Sequence, residues 1–228
     1  MTAPAKRVLR TVPREIIGPR VRLRRLRLSD APAVWDAIEE SRTRLERWLE
    51  WVPKCRSLRD ERRDIARMHG LWRRRESFVV GIFDRTSGRY LGGSAFHKIN
   101  WERRCFEIGY WIRTSAEGRG YVSEAVRLLT CLAFDRLGAE RVEIFMHPRN
   151  VRSEAVVKRL GFVYEGTARA VTPGPDGNLE DRHMYALVKA DYARIRWRPG
   201  RLRSQGGRRP PRALSKVYTR WIRFRLTE

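Results

Sequence analysis

The stretch that decides the fold lies in the middle of the chain and reads Tyr110-Trp-Ile-Arg-Thr-Ser-Ala-Glu-Gly-Arg-Gly-Tyr-Val-Ser-Glu-Ala125. It begins as a β-strand, passes through Gly118 and Gly120, and continues directly into an amphipathic helix. A glycine turn that leads into a helix N-terminus forms a phosphate cradle, because unpaired backbone N–H groups and the positive end of the helix dipole point at one place. The stretch therefore predicts a binding site for a ligand that contains a pyrophosphate.

Two other phosphate-binding patterns are excluded. The chain has no Gly-x-x-x-x-Gly-Lys-Ser/Thr run, and the Gly-x-Gly-x-x-Gly pattern fails because Ser123 stands at the third glycine. A second motif lies in residues 147–162, where Asn150 is a good helix N-cap and Gly161 is a good helix stop. The apolar residues between them share one helical face: Val151, Ala155, Val156 and Leu160.

Together the two motifs resemble the GNAT superfamily of N-acetyltransferases. The glycine turn is similar to the coenzyme A pyrophosphate loop of that family, usually Gln/Arg-x-x-Gly-x-Gly/Ala, with Ser115 where glutamine or arginine is usual. The residues from Asn150 to Ser153, followed by Leu-Gly-Phe ending at Phe162, are similar to the family's element beside the pantetheine arm. The resemblance covers roughly residues 15–192.

Further motifs resemble the RimJ/RimL branch, whose members acetylate the N-termini of ribosomal proteins. They are Trp48-Leu-Glu-Trp51, Glu107-Ile-Gly-Tyr-Trp111, Gly118-Arg-Gly-Tyr-Val-Ser-Glu-Ala125, Asn150-Val-Arg-Ser153 and Gly161-Phe-Val-Tyr-Glu-Gly166. Trp48 and Trp51 either line the acceptor groove or belong to the core. The apolar stripe from Leu45 to Val52 predicts a separate helix that Pro53 ends.

The resemblance implies an α+β fold with a single mixed, mostly antiparallel sheet of about seven strands, flanked by helices. Strands four and five of that sheet, 105–112 and 142–147, are expected to splay apart so that acetyl-CoA pairs with the backbone of strand four. The implied coenzyme-binding residues are Tyr110, Trp111, Ile112, Glu117, Gly118, Arg119, Gly120, Tyr121, Asn150 and Ser153.

Acetyl transfer to an amine requires a base for the amine, a donor for the oxyanion and a proton for the leaving thiolate. Glu107 is the candidate base, and its alternative is a surface carboxylate paired with Arg103 or Arg104. Ser153 is the candidate proton donor, and its alternative is an ordinary first-turn helix residue. Some RimL relatives carry a glutamate at a position that corresponds to the neighbourhood of Thr172. This chain has no carboxylate there, so the resemblance implies no second candidate base.

The charge is strongly uneven. The chain of 228 residues has a formal net charge of +24. Residues 1–28 hold nine Lys/Arg against one Glu, and residues 193–228 hold twelve against one. The two ends are therefore candidates for contact with an anionic partner.

The expected domains are a disordered basic arm at 1–14, an acetyltransferase domain at 15–192 and an Arg-rich tail at 193–228. The apolar spacing from Leu214 to Ile222 predicts a basic amphipathic helix at 213–226. This tail either docks on the parent domain, binds RNA or the ribosome, or lies on an anionic membrane surface.

Three cysteines without a Cys-x-x-Cys pair predict no disulfide framework and a cytoplasmic location. No secretory signal or membrane span is predicted. The four histidines, His69, His97, His147 and His183, show no metal spacing, so no metal is expected.

The leading functional hypothesis is an acetyl-CoA-dependent N-acetyltransferase that acts on a protein N-terminus, plausibly of a ribosomal protein. One alternative keeps the enzyme and changes the acceptor to an aminoglycoside or polyamine, which the basic surface disfavours. The other alternative is a ribosome- or RNA-binding protein with a vestigial acetyltransferase domain, which the complete set of site motifs disfavours.

Overall fold

The computed structural model describes residues 11–174 and 177–198 and the backbone of residues 223–225. The helices and strands run along the chain in this order: β1 Glu15–Ile17, β2 Val21–Arg24, α1 Ala31–Leu45, α2 Leu58–Arg74, β3 Phe78–Asp84, β4 Tyr90–Asn100, β5 Cys105–Ile112, α3 Tyr121–Cys131, β6 Arg141–Met146, α4 Val151–Leu160, β7 Val163–Pro173, β8 Leu179–Val188, α5 Lys189–Arg194 and β9 Arg223–Arg225.

All of the strands belong to one sheet, in the order β7-β8-β6-β5-β4-β3-β2-β1-β9. Every neighbouring pair is antiparallel except β5 and β6, which are parallel. The predicted α+β fold with a mixed, mostly antiparallel sheet is confirmed. The sequence pattern missed β1 and β9 because each has only three residues, too few to show a period of two.

Two hydrophobic clusters pack the helices against the sheet. The larger cluster unites α3 and α4 with strand residues such as Phe96, Phe106 and Ile108. The smaller cluster unites α1 and α2 with residues such as Phe83 and Tyr90. Burial of these apolar faces provides the main stabilisation of the fold.

The splay between the predicted strands four and five, here β5 and β6, is also confirmed. The parallel pairing covers only three rungs and ends where Glu107 stands opposite Glu143. Beyond that rung β5 remains paired with β4, as far as Ile112. The backbone groups on the other edge of β5 are therefore available to a ligand.

The separate helix expected from Leu45 to Val52 is wrong. Helix α1 ends at Leu45, and the chain continues through turns into a short 3₁₀ turn at Val52–Lys54. The guanidinium of Arg42 donates hydrogen bonds to the carbonyls of Val52 (3.1 Å) and Cys55 (2.8 Å). These bonds satisfy backbone acceptors that a helix would otherwise have paired.

The folded domain is longer at both ends than predicted. Val12 packs against the core and Pro13 is buried, so the expected disordered arm does not reach residue 14. Ile195 and Trp197 also pack against the core, and the Trp197 indole donates to the Leu160 carbonyl at 3.1 Å. Residues 1–10 lie outside the described residues.

The predicted tail helix is wrong at its C-terminal end. Residues 223–225 form the extended strand β9 and pair antiparallel with β1 along the edge of the sheet. This pairing is made by the backbone N–H and C=O groups of β1, so the side-chain pattern of residues 223–225 does not reveal it. The rest of the predicted helix, 213–222 and 226, lies outside the described residues.

One carboxyl group inside the smaller cluster opposes folding at neutral pH. Glu61 on α2 is 2% exposed, and its Oε1 atom has no hydrogen-bond partner. Its Oε2 atom accepts only the weak hydrogen bond of the Cys55 thiol, at 3.6 Å. Burial raises the pKa of Glu61 to about 7. Above that pH a charge stays buried without compensation.

We expect Glu61→Gln to raise the free energy of unfolding by about 3 kcal/mol at pH 8 but by less than about 1 kcal/mol at pH 5. The unfolded carboxyl loses its proton near pH 4.5 and the folded one only near pH 7, so the destabilisation grows between these values. Urea unfolding at both pH values measures it, with the exposed Glu102→Gln as control. An equal gain at both pH values would contradict this account.

Candidate active site

A cleft of about 1080 Å³ opens where β5 and β6 separate. Its walls come from the end of α1 and the following turn, from β5, from the glycine turn with α3, and from the start of α4. All ten residues expected to bind coenzyme A line it: Tyr110, Trp111, Ile112, Glu117, Gly118, Arg119, Gly120, Tyr121, Asn150 and Ser153. The tertiary fold thus unites segments that are far apart in sequence.

The glycine turn has the backbone that a phosphate cradle needs. Gly118 and Gly120 have φ angles of +72° and +76°, which residues with a Cβ atom rarely adopt. Gly120 is the N-cap of α3 and provides no side-chain cap, and the first helical bond runs from Glu124 N to its carbonyl. The N–H groups of the first turn of α3 therefore remain available for an anion.

Ion pairs fix this turn in place. The carboxylate of Glu117 is bound by Arg44, in the last turn of α1, and by Arg152 of α4. Glu117 therefore holds the turn between two helices, which is a role that the sequence did not reveal. The guanidinium of Arg20 donates to the carbonyl of Arg119 at 2.8 Å.

A buried carboxylate anchors the first turn of α3 to the sheet. Glu124 is 6% exposed and accepts hydrogen bonds from the backbone N–H groups of Arg20 (2.8 Å) and Val21 (3.0 Å). The Arg20 guanidinium completes the arrangement at 3.0 Å. A carboxylate in the first turn also interacts favourably with the helix dipole.

Tyr110 and Ser153 form a hydroxyl pair across the splay. The Tyr110 hydroxyl lies 2.8 Å from Ser153 Oγ and also donates to the Ser153 carbonyl at 3.2 Å. Asn150 Oδ1 accepts from Ser153 N at 3.1 Å, so Asn150 is the N-cap and the serine hydroxyl is not needed as one. Burial raises the pKa of Tyr110, so this phenol stays protonated.

Glu107, in contrast, does not line the cleft. It lies on the last paired rung of β5 and forms an ion pair with Lys98 at 3.5 Å, not with Arg103 or Arg104. Burial raises the pKa of Glu107, and the nearby Lys98 opposes this effect. A raised pKa is suitable for a base, but a proton from a substrate in the cleft would have to reach Glu107 through water.

A carboxylate that the sequence did not indicate lies beside His147. This residue is Glu180 on β8, which stands directly opposite Thr172 on β7. Some RimL relatives carry a glutamate near the position of Thr172, where this chain has none. The Glu180 Oε1 atom lies 3.9 Å from His147 Nε2. Only the register of the β7–β8 hairpin could have indicated that the opposite strand provides this group.

The two tryptophans after α1 differ in their surroundings. Trp48 lines the cleft, and its ring centroid lies 5.4 Å from that of His147. Trp51 packs against the smaller cluster, with its ring centroid 6.0 Å from that of Trp111. Trp48 therefore belongs to the wall of the cleft, and Trp51 belongs to the core.

Within 11–174 and 177–198, no helix combines the length and apolar character that crossing a bilayer requires. In the same part of the chain, no three His, Cys, Asp or Glu side chains are grouped so that they could hold a metal ion.

Comparison with known proteins identifies the class. Residues 20–163 match the acetyltransferase (GNAT) domain family. The chain is 32% identical over 181 residues to YdaF of Bacillus subtilis (strain 168), named as a provisional ribosomal N-acetyltransferase. That alignment covers 77% of this chain and 95% of YdaF. It is 26% identical over 155 residues to a ribosomal-protein-serine acetyltransferase of Escherichia coli (strain K12), covering 85% of that protein and 68% of itself.

Solved structures agree on the fold. An acetyltransferase from Salmonella typhimurium, described as modifying the N-terminal serine of ribosomal protein L7/L12, has a TM-score of 0.68 at 26% identity. That match covers 76% of this chain and 99% of the other. A RimL structure in complex with coenzyme A has a TM-score of 0.70 at 24% identity, covering 77% and 97%.

The chain belongs to the GNAT acetyltransferase family and, within it, to the RimJ/RimL-type branch. It is an N-acetyltransferase, and its acetyl donor is acetyl-CoA. The residues present fit this coenzyme, because the cleft joins an uncapped helix N-terminus for the pyrophosphate to the free edge of β5 for the pantetheine amides. When bound, acetyl-CoA provides an activated thioester.

We expect Gly120→Asp to weaken acetyl-CoA binding at least tenfold, measured by calorimetry. The substitution forces a side chain into the +76° backbone conformation and places a negative charge at the phosphate cradle. Gly88→Asp is the matched control, since Gly88 has a φ of +72° in a turn that does not line the cleft. Equal weakening in both variants would show that backbone strain, not the cradle, causes the loss.

We expect Ser153→Ala to lower kcat by roughly 100-fold with little change in acetyl-CoA affinity. The hydroxyl is positioned to give a proton to the leaving thiolate, and the helix cap is retained by Asn150. Steady-state kinetics from pH 6 to 9 test this, with Ser115→Ala, outside the cleft, as control. A wild-type kcat over that range would exclude Ser153 as the donor.

Proposed function

We propose that the acceptor is the α-amino group of a protein N-terminus, with ribosomal proteins as the substrate class. The observation that carries this proposal is the match, over most of their lengths, to relatives that are named for ribosomal N-acetylation. A ribosomal acceptor would also locate the reaction in the cytoplasm.

The chemistry supports an α-amine over a lysine side chain. An α-amino group has a pKa near 8 and lysine a pKa near 10.4, so deprotonation at pH 7 costs about 1 and about 4.6 kcal/mol respectively. No carboxylate among the described residues that line the cleft is free to act as a strong base, because Glu117 and Glu124 are bound by arginines. A weak base relayed by water suffices only for the α-amine.

In the proposed mechanism, Ser153 protonates the thiolate while Tyr110 holds the serine hydroxyl through its own hydrogen bonds. Glu107 takes the amine proton through water. The raised pKa of Glu107 means that the ionised, active form is lost at a higher pH than for an ordinary glutamate. The rate should therefore decline as the pH falls towards that pKa if Glu107 is the base.

A cationic small-molecule acceptor, such as an aminoglycoside or polyamine, is disfavoured by the charges beside the splay. Glu107 is neutralised by Lys98, Glu143 by Arg141 and Glu180 by Arg182. An acidic subsite that would attract several ammonium groups is therefore missing from this part of the described structure.

The test of the function is thiol release from acetyl-CoA with a panel of acceptors. We expect peptides with the N-terminal sequences of ribosomal proteins to react at least 100-fold faster than the same peptides with a blocked N-terminus and a free lysine. Aminoglycosides and polyamines serve as the competing class. Faster turnover with either of them would replace this proposal by small-molecule acetylation, and no turnover with any amine would favour a vestigial domain.

We also propose that the basic ends of the chain bring the enzyme to ribosomal RNA. Positive charge already gathers on the described domain, where burial and then the nearby charges of Arg14 and Arg73 lower the pKa of Arg25. The Arg25 guanidinium also lies over the Trp72 ring, 5.8 Å from its centroid. Tail residues beyond Arg198 add to the same net charge.

A chain that ends after Arg198 should keep its activity on a short peptide and lose salt-sensitive cosedimentation with ribosomes. Counterion release makes such binding fall steeply with salt. This boundary retains Ile195 and Trp197, which pack against the core, and removes β9, which pairs with β1. Full ribosome binding by the shortened chain would exclude the tail as the ribosome-binding segment. Selective loss of binding to anionic liposomes would indicate that the tail binds a membrane surface instead.

A further inference from the structure

The positive charges of the cleft are not all used by the protein itself. Eight arginines line the cleft, and three of them have carboxylate partners. Arg20 pairs with Glu124, and both Arg44 and Arg152 pair with Glu117. Of the other five, two lie together where α3 and α4 face each other, and neither is within 4 Å of a carboxylate of the described residues.

These two are Arg127 of α3 and Arg159 of α4. The Arg159 guanidinium donates to Ser123 Oγ at 3.1 Å, and Ser123 is in the first turn of α3. Arg127 follows Ser123 by four residues, so both lie on the same face of α3. Arg159 of α4 therefore reaches across to the face of α3 that carries Arg127.

The wall behind this pair is built by Trp197. Its ring lies under the Arg127 guanidinium, 5.7 Å from the centroid, and its indole N–H donates to the carbonyl of Leu160, next to Arg159. The Nε atom of Arg127 is buried without a hydrogen-bond partner. A buried N–H without an acceptor is costly, and no carboxylate of the described residues lies within 4 Å of this guanidinium, so the site favours an anionic ligand.

The ligand chemistry follows from the position. The phosphate cradle at Gly120 begins α3, Arg127 lies about two turns further along that helix, and Arg159 of α4 lines the same cleft. Coenzyme A carries, besides its pyrophosphate, a phosphomonoester on the ribose 3′ position. Two guanidiniums match such a dianion through several charge-assisted hydrogen bonds.

We propose that Arg127 and Arg159, with Ser123 and Trp197 behind them, form a subsite for the 3′-phosphate of coenzyme A. The subsite makes the enzyme select the 3′-phosphorylated coenzyme over 3′-dephospho-coenzyme A. This inference depends on the coenzyme and is independent of the proposed acceptor.

The experiment is isothermal titration of coenzyme A and of 3′-dephospho-coenzyme A into the full-length protein and its variants. We expect the wild-type protein to bind coenzyme A roughly tenfold or more tightly than the dephospho form. Arg159→Gln and Arg127→Gln should weaken coenzyme A binding by a similar factor and leave dephospho-coenzyme A binding unchanged. Arg159→Lys should retain part of the preference because it keeps the charge.

Arg194→Gln is the matched control, because this exposed arginine of α5 carries the same charge and does not line the cleft. It should leave both affinities unchanged. The proposal is overturned if the wild-type protein binds both coenzymes equally, or if the two glutamine variants weaken both to the same extent. Failure to bind either form would overturn the coenzyme assignment as well. Arg159 is exposed, so its variant provides the test if Arg127→Gln does not fold.

Discussion

The site depends on one interruption in the sheet, the end of pairing between β5 and β6. The two strands share only three rungs, and the last rung sets Glu107 against Glu143. Like charges opposite each other weaken strand pairing, and each of these carboxylates turns to a cation of its own. The start of α4 lies at the gap, where Tyr110 meets Ser153. An edge of β5 is thus left free inside the domain, and the cleft forms along it.

Buried and clustered charges fix the positions of the elements around this gap. Glu124 fixes the start of α3 to β2, and Glu117 joins the glycine turn to α1 and α4. Such pairs add little net stability, because desolvation offsets their attraction, but breaking one partner leaves a buried charge. Their contribution is therefore to position the phosphate cradle relative to the helices, while the two hydrophobic clusters stabilise the fold.

Much of the fold was predictable because its signals are local. The glycines of the turn, the Asn150 cap and the Gly161 stop each act through their own backbone, so their effect can be recognised in the chain. The predictions failed where a distant group decides the conformation. Arg42 binds the carbonyls after α1 in place of a second helix, and Trp197 extends the domain by packing beside Leu160. Neither contact has a sequence signature.

The candidate site divides in the same way. The sequence by itself determined the coenzyme loop, the helix cap and the residue types that could transfer protons, because these depend on neighbouring positions. Only the tertiary structure decided which of them meet. It brings Tyr110 to Ser153, leaves Glu107 outside the cleft lining, and places Glu180 opposite Thr172. Register and packing between separate segments set these distances, and the sum of many weak contacts over the whole fold determines that packing.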